Sequence, residues 1–560
     1  MHLRPNDDAG QALAMIIGVA MIFALGCGLL LQEVNQQSPI VRKDLVIHQA
    51  YRAMVAGLDE YLYQSNANAD FVTCNSANMG TGFCLSPTFG VWTPVQGTQT
   101  NNGPPAWFLL SNPQVNTTTG VVSLTIVGLA GDSFFRTYQK ATVTLTPLNS
   151  FLLNVLWINY NQIDPAVLSP NNPPTCGYNW QVGIRPGCSL VNFVTGDTLH
   201  GNLYVNDSVF ICGNPTFQSV HTADPSHVTV TSSGCGGSSP TITGAAVDNI
   251  PVEPLPNDDS TLDTVAAQGG CVYEGPTTIT LSGANMMVTS PDTPTGPPVN
   301  APGGSTSNDH INDPANRNPC MPASPGGSVP LPTNGVVFVE NCLIGNATCA
   351  AAGAYNPLAG LNETGASGRT VGDAIVQGTL TGPLTIGAQN NVVIDGNICY
   401  TSTGNCASAP VSPSTDVLGL IAYNYVEVSH PLSGGNNAPT CGANGAPAPP
   451  ACDLSNPKID AAILALNHSF LVNGYGSGSP LGTLTINGTV AEDWRGPVGT
   501  SNGGSIVTGY AKNYVYDPRL VYLSPPFYLN PGTAAWGIAT INVVGGTCSL
   551  PGPQTCPSPP

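Results

Sequence analysis

Leu384-Thr-Ile-Gly-Ala-Gln-Asn390-Asn-Val-Val-Ile394 is a short apolar run, a turn built on Asn, and a second short apolar run. The same order returns in Leu418-Gly-Leu-Ile-Ala-Tyr-Asn424-Tyr-Val-Glu-Val428 and in Ile463-Leu-Ala-Leu-Asn467-His-Ser-Phe-Leu-Val472. It appears once more, shortened, in Thr483-Leu-Thr-Ile-Asn487-Gly-Thr-Val490. A unit this short cannot bury an apolar face alone, whereas stacked units share one continuous core. The repeat therefore predicts a β-solenoid, a right-handed parallel β-helix-like stack, over residues 334–530. Asn side chains at matched turns can hydrogen-bond along such a stack, so Asn390, Asn424, Asn467 and Asn487 form an expected ladder. A β-sandwich whose strands merely share Val, Ile and Asn is the competing reading.

Residues 290–333, just before the repeat, are rich in Pro, Gly, Ser and Asn and read as an exposed excursion. Short strands such as Ser208-Val-Phe-Ile211 and Thr277-Thr-Ile-Thr-Leu281 place the start of the solenoid-like β domain at 190–289. Residues 67–189 form another β-rich domain, on runs such as Val121-Val-Ser-Leu-Thr-Ile-Val127 and Ala141-Thr-Val-Thr-Leu145. Residues 531–560 read as a C-terminal tail. The fold class is thus mainly β, preceded by an N-terminal helix.

That helix begins in the uncharged stretch Ala12 to Leu31, ALAMIIGVAMIFALGCGLLL, long enough to cross a bilayer, which takes about 20 residues. A cleaved signal peptide has a shorter apolar core and a small-residue cleavage site close behind it, and none follows here. A lipoprotein would use Cys27, but the apolar run continues past it. The reading retained is a membrane helix continuing into a soluble one, so that 1–66 is an anchor with its span at 12–31. Val41, Leu45, His48, Tyr51, Val55, Leu58 and Leu62 recur at helical spacing and mark its expected apolar face.

Of 17 cysteines, Cys27 lies in the apolar stretch and the other 16 form an even set. Most fall in close pairs: Cys74 and Cys84, Cys176 and Cys188, Cys212 and Cys235, Cys342 and Cys349, Cys399 and Cys406, Cys441 and Cys452, Cys548 and Cys556. Cys271 and Cys320 are left over. No C-x-x-C occurs, so zinc-ribbon and thioredoxin-type chemistry has no support, and disulfides outside the cytosol are expected. This orients the anchor with its N-terminus cytoplasmic and the body outside. With 13 Lys and Arg against 32 Asp and Glu, a net charge of −19, nucleic acid is excluded as a partner.

Catalytic signals are thin. His221-x-x-Asp224-x-x-His227 is interrupted by Pro225, and Asn257-Asp258-Asp259 with Asp263 offers oxygen ligands off the EF-hand spacing. Both read as turns, so no metal and no cofactor is expected. Gly499-Thr-Ser-Asn-Gly503 satisfies G-x-S-x-G, but a strand-like segment follows where a nucleophile elbow needs a helix. Glu492-Asp493-Trp494-Arg495 is the one tight charged cluster with an aromatic in the repeat region. It could serve polysaccharide cleavage, although a salt bridge at the turn before Gly496-Pro497 explains it equally. No catalytic residue is assigned.

Gly10-Gln11-Ala12-Leu13-Ala14, the apolar helix, and Gln49-Ala-Tyr-Arg-Ala-Met-Val-Ala-Gly-Leu58 together resemble the N-terminus of PilX-type minor pilins of type IV pili. Several body segments resemble envelope proteins of high-GC Gram-positive bacteria that share this start. They include Thr195-Gly-Asp-Thr-Leu-His-Gly-Asn202, Ile211-Cys-Gly-Asn-Pro-Thr-Phe217, Tyr273-Glu-Gly-Pro-Thr-Thr-Ile279, Trp494-Arg-Gly-Pro-Val-Gly499 and Leu523-Ser-Pro-Pro-Phe-Tyr528. The resemblance implies prepilin-type cleavage between Gly10 and Gln11. The Glu that type IV prepilins carry at the fifth mature position is replaced here by Met15, which argues against a major subunit. The expected function is a single-pass, membrane-anchored structural or adhesive envelope protein, a minor component or accessory of a pilus-like system. Its expected partners are the membrane, other pilin-like subunits, and a surface or carbohydrate ligand. The alternatives are a surface-anchored carbohydrate-active enzyme and an adhesin on a plain signal anchor.

Overall fold

The computed structural model describes residues 43–548 except for 67–70, 80–83, 85–88, 97–104, 117–120, 132–135, 148–150, 169–173, 178–187, 291–292, 294–319, 321–326, 342–370, 431–453, 530–535 and the single positions 73, 78, 236, 257, 268 and 405. The span 12–31 and the cleavage position between Gly10 and Gln11 lie outside these residues. So do both members of the expected disulfide between Cys342 and Cys349, both members of that between Cys441 and Cys452, and Cys556, the expected partner of Cys548. Among the described residues, no helix is long and apolar enough to cross a membrane.

The chain is mainly β. Its first unit is an antiparallel sheet in the order Thr93–Pro94, Ala106–Leu110, Val122–Gly131, Arg136–Pro147, Trp536–Cys548. Alternation of buried and part-exposed residues along Ala106–Leu110 and Val122–Gly131 shows one face turned to a core. The core is closed by the helix over 43–66. Met54, Leu58 and Tyr61 pack with Phe108, Ile126 and Val143, while Val46, Ala50 and Ala53 pack with Ala106 and Ala130.

The buried face of the helix is the expected one only in part: Leu58 is buried and Val55 and Leu62 pack against the core, while Val41 lies outside the described residues. Leu45 and Tyr51 are 54% and 47% exposed, and His48 is exposed too. The inward face adds Val46, Ala50, Ala53, Met54, Gly57 and Tyr61 to Leu58. Close approach selects it: a Cβ on Gly128 would collide with the Ala50 carbonyl oxygen, and one on Gly57 would stand 2.9 Å from the Phe108 ring. Small residues on both surfaces let the helix backbone lie directly on the sheet, which outweighs the hydrophobicity of the larger side chains.

Between its neighbouring strands Arg136–Pro147 and Trp536–Cys548, the sheet sends out nearly the whole remaining chain. That insertion is a stack of parallel strands. One column of paired residues runs Cys271, Val337, Ile386, Leu420, Ile463, Val490, Leu156, Leu203, Val220, Ala246. A second runs Ile279, Val376, Ile394, Val428, Val472. A third runs Ile398, Ile459, Ile486, Tyr514, Leu199, Phe217, Ile242. Except for Ala246, these side chains belong to or pack against one apolar core.

One outer surface is covered as well. Helix Ser260–Ala267, the turns Phe151–Leu153 and Pro518–Val521, and residues 523–529 lie over Val336, Phe338, Val417 and Ile421. Strands buried on both faces read as apolar runs, as Val417–Ala422 and all of Val336–Glu340 but its last residue do. Gly419 gives the covering segment room, since a Cβ there would come 2.9 Å from Pro525.

The order of the columns shows how the stack is made. Residues 156–247 build outward from the middle. Residues 271–516 start at the far end and return, so that Val490 pairs with Leu156 and Asn513 with Thr198. The last-made turns of the stack thus meet the first-made ones at a seam. Two expected boundaries move accordingly. The stack begins at Leu156 rather than near 190, and the segment read as a tail contains the sheet strand Trp536–Cys548. Both depend on pairings between residues hundreds of positions apart, which local pattern does not carry.

Candidate functional site

Five disulfides are closed among the described residues: Cys74–Cys84, Cys176–Cys188, Cys212–Cys235, Cys399–Cys406 and Cys271–Cys320. All five join cysteines adjacent in sequence order, and the fifth joins the two left over by close spacing. The other three expected pairs involve Cys349, Cys452 and Cys556, which are not among the described residues, so no bond is assigned to them.

The Asn ladder is shorter than expected. Asn424 Nδ2 donates to Asn390 Oδ1 at 2.7 Å, and Asn390 Nδ2 to Asp373 Oδ1 at 2.7 Å. Asn467 donates instead to the Tyr423 carbonyl, and Asn487 to Asp460. Asn487 fails to join because it sits inside strand Pro480–Trp494, opposite Asp460, and not at a turn.

Charged side chains gather at the seam. Of the sequence cluster 492–495, Glu492 and Arg495 are 0% and 1% exposed. Glu492 Oε1 accepts from Arg495 Nη1 at 2.7 Å, and its Oε2 accepts from the amides of Phe470 at 3.1 Å and Gly496 at 2.9 Å. The Arg495 guanidinium lies over the Phe193 ring at 4.8 Å. Beside it, Lys512 Nζ donates to Asp197 Oδ2 at 2.8 Å, again fully buried. Burial pushes the Glu492 carboxyl up against the opposing pull of Arg495, and pushes Lys512 down against that of Asp197. A group closed off from solvent in this way cannot meet a polymer substrate. Its visible role is to join the stretch that includes Phe193 and Asp197 to the stretch that includes Glu492 and Lys512.

The neighbouring residues turn outward. Trp494 pairs with Tyr160 across the seam, their rings 4.6 Å apart and inclined by 41°, and both remain partly exposed. Asp493 accepts from Asn159 Nδ2 at 2.7 Å, and Asn159 is itself set by Asn206 Nδ2 at 3.0 Å. Asp164 caps the short helix Pro165–Leu168 through the Ala166 amide at 2.8 Å. Its other oxygen accepts from Tyr425 Oη at 3.1 Å and contacts His468 Nδ1 at 2.6 Å. His468 stacks on Tyr425 at 4.5 Å, and its carbonyl accepts from the amides of Asp493 and Trp494. Burial, with the Asp164 charge adding to it, pushes Asp493 up to about 7, while the Asn159 hydrogen bond and His468 pull it back. Asp164 fixes the orientation of the His468 ring through Nδ1. The cluster therefore combines a carboxyl that titrates near neutrality, an oriented imidazole and an aromatic pair. Asp164, His468, Tyr160 and Asn159 were not found from sequence, because they stand far from Asp493 along the chain and no local motif links them.

The remaining sequence candidates fall elsewhere. Asp224 accepts from Ser208 Oγ and from the amides of Ser226 and His227, and His227 is an exposed turn residue. Asp258 caps Ser260, but Asp259, expected in a solvated turn, is 5% exposed and pushed up to about 7, chiefly by burial. Ser501 lies in a hairpin between Gly499–Asn502 and Ser505–Tyr516, which rules out a nucleophile elbow there. No group of ligating side chains among the described residues is arranged to hold a metal.

No family model matches the chain, and no curated protein matches it. Among solved structures the chain is similar to the competence-associated pilin ComZ from Thermus thermophilus, at 12% identity over 90% of this chain and 98% of that one, with a TM-score of 0.23.

Proposed function

We propose that this chain is a membrane-anchored, pilin-like extracellular protein, a minor or accessory subunit whose body is a β-solenoid with a structural or adhesive role. The observation that carries the proposal is the mounting of the helix over 43–66. Its inner face is fixed on the antiparallel sheet by Ala50, Ala53 and Gly57, and its sequence continues N-terminally into the apolar stretch 12–31. A helix held this closely couples an anchor rigidly to the body. The parallel columns of apolar residues, each stacked on the next, support the solenoid reading. The five disulfides support an oxidising compartment. Burial of Glu492 and Arg495 in a mutual ion pair supports a structural role for the charged motif rather than catalysis.

The test is intact mass and N-terminal sequencing of the protein from its native membrane, with protease treatment of whole cells. A start at Gln11 and a protease-accessible body are expected. A start at Met1 or His2 removes the pilin-type processing from the proposal, and a start beyond Leu31 removes the anchor.

A further inference from the structure

The outward side of the seam is built in more detail than joining two stretches of chain requires. Tyr160 and Trp494 present a partly exposed aromatic pair, and the disulfide-closed turn at Cys176 reaches the Trp494 ring edge beside Gly177. Next to the rings, Asp493 is aimed by Asn159, which is aimed in turn by Asn206. His468 is 29% exposed by side chain and is fixed by Asp164 on one side and by the Tyr425 ring on the other. A pyranose ring has a matching division: an apolar face of C–H bonds that suits an aromatic surface, and rim hydroxyls that suit a carboxyl and an imidazole.

We propose that Trp494, Tyr160, Asp493 and His468 form a saccharide-binding subsite for a neutral pyranose of a surface polysaccharide. The proposal rests on the adhesive reading above, for which it names the ligand class. Neutral sugars are favoured because the chain carries a net charge of −19 and two carboxylates, Asp164 and Asp493, border the site. Uronates and phosphorylated glycans meet repulsion there.

The experiment is isothermal titration of the full chain in detergent with cellohexaose, chitohexaose and mannohexaose, and with hexagalacturonate as the anionic probe. Each probe is checked by mass spectrometry afterwards. Saturable binding of at least one neutral hexamer is expected, with at least tenfold weaker binding of hexagalacturonate. Trp494→Ala should lower affinity tenfold or more, and Trp494→Tyr should restore most of it, which separates a lost platform from a misfolded body. Absence of binding by all three neutral hexamers, or affinity unchanged in Trp494→Ala, overturns the proposal. Shortened probe overturns its non-catalytic form. Surface location and N-terminal processing are read separately, so loss of the subsite leaves the anchored-protein reading standing.

Discussion

Arg495→Met tests whether the buried pair joins the two stretches of the stack. Glu492 is completely buried and holds three hydrogen bonds, one of them to the guanidinium. Replacing Arg495 leaves a buried carboxyl with two backbone donors, no directly paired cation, and only the charge of Lys512, itself paired to Asp197, nearby. Breaking a buried pair from one side costs about 3–5 kcal/mol, and the two retained amide bonds place this case near 3. The loss should depend on pH. The folded-state pKa of Glu492 already lies above its unfolded value, and removal of Arg495 raises it further. A carboxyl shifted upward contributes its stability fully below the unfolded pKa and loses it as pH rises through the folded one. The variant should therefore be penalised more at pH 8 than at pH 5. Guanidinium unfolding followed by circular dichroism, with disulfides intact, reads the difference, and Glu492→Gln in the same chain should recover at least half of it. A single variant within about 0.5 kcal/mol of the parent at pH 8 would refute the reasoning, as would a double variant no better than the single.

Three further outcomes follow from the same geometry. Gly128→Val places a side chain where a Cβ already collides with backbone atoms of Ala50 and Met54, so the helix should lift from the sheet and its amides over 43–66 should exchange hydrogen at least tenfold faster. Asn390→Ala breaks the side-chain links to both Asp373 and Asn424 and should cost about 1–3 kcal/mol in the same unfolding assay. Asp493 should titrate near 7 by carbonyl-detected NMR, and since its folded pKa is the higher one, it should lose stabilising effect between about pH 4 and 7, a slope absent from Asp493→Asn.

What could be read from the sequence was whatever repeats locally. The units at Leu384–Ile394, Leu418–Val428 and Ile463–Val472 do supply successive strands, because an apolar run buried on both sides leaves its mark in every turn of a stack. The helix was legible as a helix, but its inner face only in part, at Val55, Leu58 and Leu62. Leu45 and Tyr51 scored as apolar, while Ala50, Ala53 and Gly57 were overlooked because their value lies in allowing close approach. The acid–base cluster was only half visible. Asp493 and Trp494 stood in a motif, whereas Asp164, Asn159 and His468 reach them only through the seam. The strand Trp536–Cys548 looked like a tail because its partner lies near residue 140.

The seam also fixes the order in which the protein can be completed. A simple repeat array adds each turn to one already formed. Here Leu156–Tyr160 and Thr198–Val205 pair early with each other, but each keeps a stretch of its other edge open until residues near 490 and 513 have been made, and the outer edge of Arg136–Pro147 waits for the segment near 540. A chain leaving a ribosome or crossing a membrane N-terminus first therefore carries open strand edges for most of its passage. Early turns must be kept from pairing with other chains in that interval. A chain stopped before residue 490 leaves both the stack and the sheet unclosed, and one stopped between 516 and 536 leaves the sheet alone without its last strand.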